Sequence, residues 1–185
     1  MSLRTFSALS VLFLATACHN QSSSGSTSNP AAAAASSTER GKYLVRIMAC
    51  ADCHNTGSFS PKPEEGFLQG ATVGFELPGM GVFYPPNLTP DADAGIGKWS
   101  EADIVTALRT GKTPDGRNLA PIMPWQRYAV LTDDDANAIA AYLKSLPPSS
   151  HKVPPPTTTD KAPQPYLTVA PPAKASGVAG PAPAK

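Results

Sequence analysis

The stretch Cys50-Ala51-Asp52-Cys53-His54 determines how the rest of this 185-residue chain is interpreted. Two cysteine thiols three positions apart can add to the two vinyl groups of one haem and form thioether bonds, and the adjacent imidazole can then ligate the iron. The stretch therefore predicts one covalently bound haem c and its iron, with Cys50 and Cys53 as the attachment sites and His54 as an axial ligand.

Two other kinds of site that use paired cysteines fit the sequence less well. A structural zinc ion needs four protein ligands, and the remaining cysteine and histidines, Cys18, His19 and His151, lie in segments that we interpret as removed or unstructured. A thioredoxin-like pair follows a strand and begins a helix, whereas this pair comes at the end of a predicted helix. Haem attachment is therefore the preferred interpretation.

The N-terminal residues 1–17 have the pattern of a secretory signal peptide. One basic residue, Arg4, precedes an apolar run at 9–15 that is well short of the ~20 residues needed to span a bilayer. Cys18 follows directly and resembles the acylated cysteine of bacterial lipoproteins, while ordinary cleavage after the small residues before it stays open. We expect an exported protein of the bacterial periplasm, held at the membrane by a lipid on Cys18.

Composition divides the remaining chain into a domain at 38–147 and two flanking segments. Residues 18–37 are mostly Ser, Ala and Thr with almost no charge, which predicts a flexible tether. Residues 148–185 are rich in proline and alanine and are interpreted as a disordered tail. Between positions 38 and 146 there are 10 basic and 13 acidic residues, so the domain has no excess of positive charge for nucleic acid.

Three amphipathic helices are predicted within the domain, and the first leads directly to Cys50. Each begins with a capping box, in which a hydroxyl side chain is followed three positions later by a carboxylate. The pairs are Ser36 with Glu39, Ser100 with Asp103, and Thr132 with Asp135. A short β-hairpin is predicted between 75 and 84. The predicted fold class is all-α, with three or more short helices around the haem.

The second axial ligand is expected among the methionines, because His54 is the only histidine of the predicted domain. Met123 lies between Ile122 and Pro124 in a proline-rich stretch, and the restricted backbone there can present a sulfur to the iron. Met80 lies in a glycine-flanked turn, and core packing better explains Met48. Met123 is the predicted ligand, and Met80 or an open iron position remain alternatives.

Several further motifs accompany the haem-attachment stretch. They are Asn87-Leu-Thr-Pro-Asp91, Gly95-Ile-Gly-Lys-Trp99-Ser100, Leu108-Arg-Thr-Gly111, Met123-Pro-Trp125 and Ala140-Ala-Tyr-Leu143. Together they resemble the monohaem class I cytochromes c and, more narrowly, the haem domains in the cytochrome subunits of alcohol and gluconate dehydrogenases.

The resemblance covers residues 36–148 and implies a class I cytochrome c fold, with thioethers at Cys50 and Cys53 and iron ligation by His54 and Met123. It also implies that the first helix packs against the last near Gly41 and Tyr142. Dehydrogenase cytochrome subunits usually carry three haem motifs, whereas this sequence has one, which favours a standalone carrier.

These features predict a one-electron carrier that is not itself an enzyme. Its expected partners are redox proteins, such as a dehydrogenase, a quinol-oxidising complex or a terminal oxidase. Trp99, Arg109 and Trp125 are candidates for lining the haem or contacting its propionates, although an ordinary packing role explains each equally well. Two alternatives remain: an electron-transfer subunit held in a dehydrogenase or oxidase complex, and a haem enzyme with an open sixth iron position.

Overall fold

The computed structural model describes residues 30–170, which contain five helices and three short strands. The predicted signal peptide, Cys18 and the last fifteen residues lie outside this range. The elements are α1 (Pro30–Ile47), α2 (Cys50–His54), β1 (Gly74–Leu77), β2 (Gly81–Phe83), α3 (Glu101–Thr110), α4 (Trp125–Tyr128), α5 (Asp133–Ser145) and β3 (Tyr166–Thr168). The domain is thus mostly helical, in line with the predicted class, and of the small sheet only the third strand, β3, was not expected.

Helix α1 begins at Pro30, six residues before the expected capping box at Ser36. Residues 30–37, which the composition assigned to the flexible tether, instead form the first two turns of this helix. Alanine has the highest helix propensity of all residues, and proline is well suited to the first helical position. The alanine run at 31–35 therefore extends the helix, although it carries no amphipathic pattern.

Helices α1 and α5 cross at Gly41, where the two backbones are in contact. A Cβ atom on Gly41 would lie 1.9 Å from the carbonyl oxygen of Ala138 and 2.7 Å from Cβ of Tyr142. The close approach buries Leu44 and Val45 of α1 against the core. Glycine is tolerated within this helix because any side chain would separate the two helices.

Helices α3 and α5 begin where the sequence predicts, whereas the short helix α4 was not predicted. Ser100 forms a reciprocal capping box with Asp103 at the start of α3, and Gly111 ends that helix in the left-handed conformation. The hydroxyl of Thr132 accepts a hydrogen bond from the backbone of Asp135 at the start of α5. These capping predictions are confirmed.

The predicted hairpin is also confirmed, and it acquires a third strand from the chain beyond the domain. Strands β1 and β2 pair antiparallel, with Phe75 opposite Phe83. Strand β3 then pairs with β1 in the parallel direction, which gives the strand order β2-β1-β3.

Residues 148–170, which we interpreted as part of a disordered tail, therefore lie against the domain. Proline favours extended backbone conformations, and this segment hydrogen-bonds with the domain through its main chain. His151, expected in an unstructured segment, lies on this path, and its carbonyl accepts a hydrogen bond from Asn87.

Within residues 30–170, no helix combines the length and the apolar composition that a bilayer crossing requires.

The crossing at Gly41 predicts that alanine at this position destabilises the protein, although alanine has a higher helix propensity than glycine. Gly41→Ala should lower the free energy of unfolding by about 1–3 kcal/mol or more, because the added methyl group collides with the backbone of α5. Propensity alone would raise stability by up to ~1 kcal/mol. Chemical unfolding followed by far-UV circular dichroism measures the change, with Arg46→Ala on the exposed face of α1 as a control. A Gly41→Ala variant as stable as the parent would contradict the close packing.

A second prediction concerns the ion pair that joins the same two helices. Nε of Arg40 donates to Oδ1 of Asp135 at 2.9 Å, and this hydrogen bond holds the pKa of Asp135 below its ordinary value of 3.8. A lowered carboxyl pKa stabilises the folded state above the unfolded pKa, and this stabilisation is lost as the pH falls through the folded pKa.

Asp135→Asn should therefore lower the melting temperature slightly at pH 7, and the difference from the parent should shrink as the pH falls below the ordinary carboxyl pKa of 3.8 and through the lower folded-state pKa. Asp134→Asn is the matched control, since it removes a charge from the same first turn of α5. Equal effects of the two variants at pH 7 would mean that the helix dipole, not the ion pair, carries the stabilisation.

Candidate cofactor site

A cavity of about 1090 Å³ lies between the helices and the loop that follows α2. This volume is slightly above the ~300–1,000 Å³ that is usual for ligand sites. Its helical walls are apolar and come from α3 and α5, which contribute Ile104, Leu108, Ile139 and Leu143. The walls therefore suit a large, flat, mostly apolar molecule.

The short helix α2, which contains both cysteines of the motif, forms one wall of this cavity. Ala49 precedes it in the left-handed conformation, with φ of 56°, so α2 turns away from α1 and does not simply continue it. Both Cys50 and Cys53 line the cavity as free thiols. Burial raises the pKa of the Cys50 thiol to about 11 and raises the pKa of Cys53 as well. The two sulfurs are thus protonated at neutral pH and face the same space.

His54 is buried at the end of α2 and is held in one orientation. Its Nδ1 lies 2.8 Å from the carbonyl oxygen of Pro86, and a carbonyl can only accept, so Nδ1 carries the proton. Burial lowers the pKa of His54, which keeps the ring neutral. The other nitrogen, Nε2, is therefore an unprotonated donor for a metal ion, in the tautomer that a carbonyl partner commonly fixes.

The three methionines of the predicted domain differ in their relation to the cavity. Met123 lines it from a turn in which its backbone nitrogen donates to the carbonyl of Ala120 at 2.9 Å. Met48 lines it from the end of α1, and also packs against the core. Met80 is 57% exposed at the tip of the hairpin and is not among the residues that line the cavity.

The three residues that were predicted to surround a haem also differ in whether they line the cavity. Trp99 lines the cavity. Trp125 packs over Gly111 and borders a smaller groove near Met80. Arg109 is not part of the cavity wall: its guanidinium donates to Asp133 at 2.7 Å and to the carbonyl of Leu131, while its Nε is buried without a partner in the described structure.

Two features of the cavity wall were missed from the sequence. Arg117 lines the cavity beside Asn118 and is paired with Asp115, whose pKa is lowered to about 2 by the Thr113 hydroxyl and by Arg117. A cation at the wall suits a cofactor that bears carboxylates, and nothing in the sequence distinguishes Arg117 from other turn residues.

The second feature is residues 153–156, which also line the cavity. They lie in the proline-rich segment, where composition gave no sign of a site.

The donor set fits a covalently attached haem. Two free thiols, a neutral imidazole with a fixed tautomer and a thioether all open onto one large apolar cavity. These features define the class of proteins that hold haem c through two thioether bonds.

Comparison with known proteins identifies the family. The family model for cytochrome c matches residues 38–147, and the chain belongs to this family. Its cofactor is a covalently bound haem c with its iron, and the chemistry of this class is one-electron transfer.

Individual relatives are cytochrome subunits of dehydrogenases. The chain is 38% identical over 105 residues to the gluconate 2-dehydrogenase cytochrome c subunit of Pantoea cypripedii, a match that covers 57% of this chain and 22% of that protein. It is 34% identical over 125 residues to the alcohol dehydrogenase (quinone) cytochrome c subunit of Gluconobacter oxydans, which covers 68% and 23%.

A third relative, the fructose dehydrogenase cytochrome subunit of Gluconobacter japonicus, is 36% identical over 112 residues, which covers 58% of this chain and 22% of the relative. The matched part thus spans less than a quarter of the length of each of these three proteins.

Proposed function

We propose that this protein is a one-electron carrier with a single haem, attached through Cys50 and Cys53 and ligated at the iron by His54 and Met123. The observation that carries this proposal is that all four side chains border one cavity large enough for the cofactor. When bound, the haem supplies an iron that alternates between the Fe(II) and Fe(III) states.

The chain's own residues determine how this iron behaves. The carbonyl of Pro86 orients the ring of His54, and the uncharged thioether of Met123 favours the reduced iron and raises its potential. Apolar side chains of α3 and α5 keep water away from the cofactor. If His54 and Met123 both hold the iron, no site would remain there for a substrate, so electrons would pass through transient contacts with other proteins.

We further propose that the protein works in the bacterial periplasm at the membrane surface. Support comes from the sequence of residues 1–17 and from the position of Cys18, at which cleavage and acylation would leave a lipid anchor. A redox protein such as a dehydrogenase is the proposed electron donor, since the three relatives are dehydrogenase subunits. The acceptor would be a further redox protein, such as a terminal oxidase.

A second candidate is an electron-transfer subunit held permanently in a dehydrogenase complex. This candidate is supported by the relatives, which are cytochrome subunits of dehydrogenases.

The carrier function predicts a defined product from a host that matures c-type cytochromes. The purified protein should carry one haem per chain that stays attached after denaturation, and a potentiometric titration should follow the slope of a one-electron couple. A colourless product with two free thiols would contradict the proposal.

Purification from membranes in mild detergent should yield the protein without stoichiometric partners, and a dehydrogenase recovered in equal amount would favour the complex.

The ligand assignment predicts that three methionine variants differ in their spectra. Met123→Ala should lose the long-wavelength absorption band of methionine-ligated ferric haem, gain the ability to bind CO, and have a lower reduction potential, because the open position admits water. Met80→Ala and Met48→Ala are the controls, one exposed and one in the cavity wall, and both should keep the band. Persistence of the band in Met123→Ala would overturn the assignment and reopen the possibility of an enzyme with a free iron position.

A further inference from the structure

The segment after the matched domain forms a strap across it, which we define as residues 149–168. The family match ends at residue 147, so the strap lies beyond the part shared with the family model. It is fixed to the domain at both of its ends.

The first attachment point is Asn87, which is only 1% exposed. Its Nδ2 donates to the carbonyl oxygens of Ser149 at 2.7 Å and His151 at 3.0 Å. The backbone nitrogen of Ser149 in turn donates to the hydroxyl of Thr89 at 3.0 Å. A buried amide that uses both of its protons on strap carbonyls holds this end of the strap firmly, since leaving them unpaired is costly.

The second attachment is the small sheet. Thr157 and Val82 exchange two backbone hydrogen bonds of 2.8 and 3.1 Å, and strand β3 then pairs with β1. The carboxylate of Glu76 accepts hydrogen bonds from the hydroxyls of Thr159 and Thr168, at 3.0 and 2.6 Å. The strap therefore has a fixed register on the sheet.

Between these attachments, residues 153–156 form part of the cavity wall. Val153 packs against the loop after α2 at Gly70, where a Cβ atom would lie 2.6 Å from Cγ1 of Val153. The backbone nitrogen of Gly70 donates to the carbonyl of His54 at 2.8 Å, so the strap touches the loop that holds the histidine. The three prolines that follow have no backbone N–H groups, so they bring no unpaired donor to the cavity.

We propose that the strap completes the haem site: residues 153–156 exclude water from the cavity beside His54 and thereby keep the reduction potential high. This inference rests on the proposed haem ligation. With neutral axial ligands, the ferric centre carries one more positive charge than the ferrous centre, and a less polar surrounding disfavours the more charged form. Solvent access around a metal site is a known determinant of its potential.

The first test introduces polar side chains into the cavity wall of the full-length, haem-loaded protein. The double variant Val153→Ser with Pro154→Ser should have a lower reduction potential than the parent while keeping the methionine absorption band. Pro163→Ser is the control for the proline half of this variant, because it makes that same substitution on the strap at a position that does not line the cavity. A potential equal to that of the parent in the double variant would overturn the proposal.

The second test shortens the chain at two points, so that the effect of the strap is distinguished from that of residues 171–185. A chain ending at Pro148 should have a lower potential than the parent, whereas a chain ending at Ala170 should match the parent. Equal lowering in both chains would place the effect in residues 171–185 and overturn the proposal. Failure of the parent itself to bind haem covalently would instead contradict the proposed function, so the two failures are distinguishable.

Discussion

The hydrogen bond from Nδ1 of His54 to the carbonyl of Pro86 is the contact on which the arrangement of the site depends. It decides which ring nitrogen faces the cavity and joins the short helix α2 to the loop 84–89. The backbone of His54 is fixed from the other side, since its carbonyl accepts from Gly70. A histidine held at both its ring and its backbone has little freedom to rotate, which is what the proposed role of His54 as an iron ligand would require.

The cavity explains how such a small domain can be organised around so few helices. Side chains from α3 and α5 pack together in the hydrophobic core and also border the cavity. The most extensive helix-to-helix packing is between α1 and α5, where Gly41 contacts Ala138. A haem in this cavity would add apolar surface against which the cavity walls could be buried.

The parts of the structure that were predictable from the sequence are those determined by local chemistry. Thioether attachment requires cysteines at a fixed spacing, and capping requires particular residues three positions apart, so both leave a readable pattern. Met123 was chosen over Met80 because of its proline neighbours, and only the former lines the cavity. Its role as a ligand stays a prediction.

The features that were not predicted from the sequence depend on distant or weakly patterned interactions. The start of α1 at Pro30 lies in an alanine run whose composition is equally typical of a linker. The strap is held by Asn87 and Glu76, which lie more than sixty residues earlier in the chain, and such pairing has no periodicity.

The contact between α1 and α5 has a consequence for the order in which the protein matures. Arg40 and its partner Asp135 are 95 residues apart in sequence, so these helices cannot meet until most of the domain has been synthesised. Cys50 and Cys53 are synthesised long before α5, whose side chains line the same cavity. The wall opposite the two thiols can therefore form only at a late stage, after a contact between distant parts of the chain has been made.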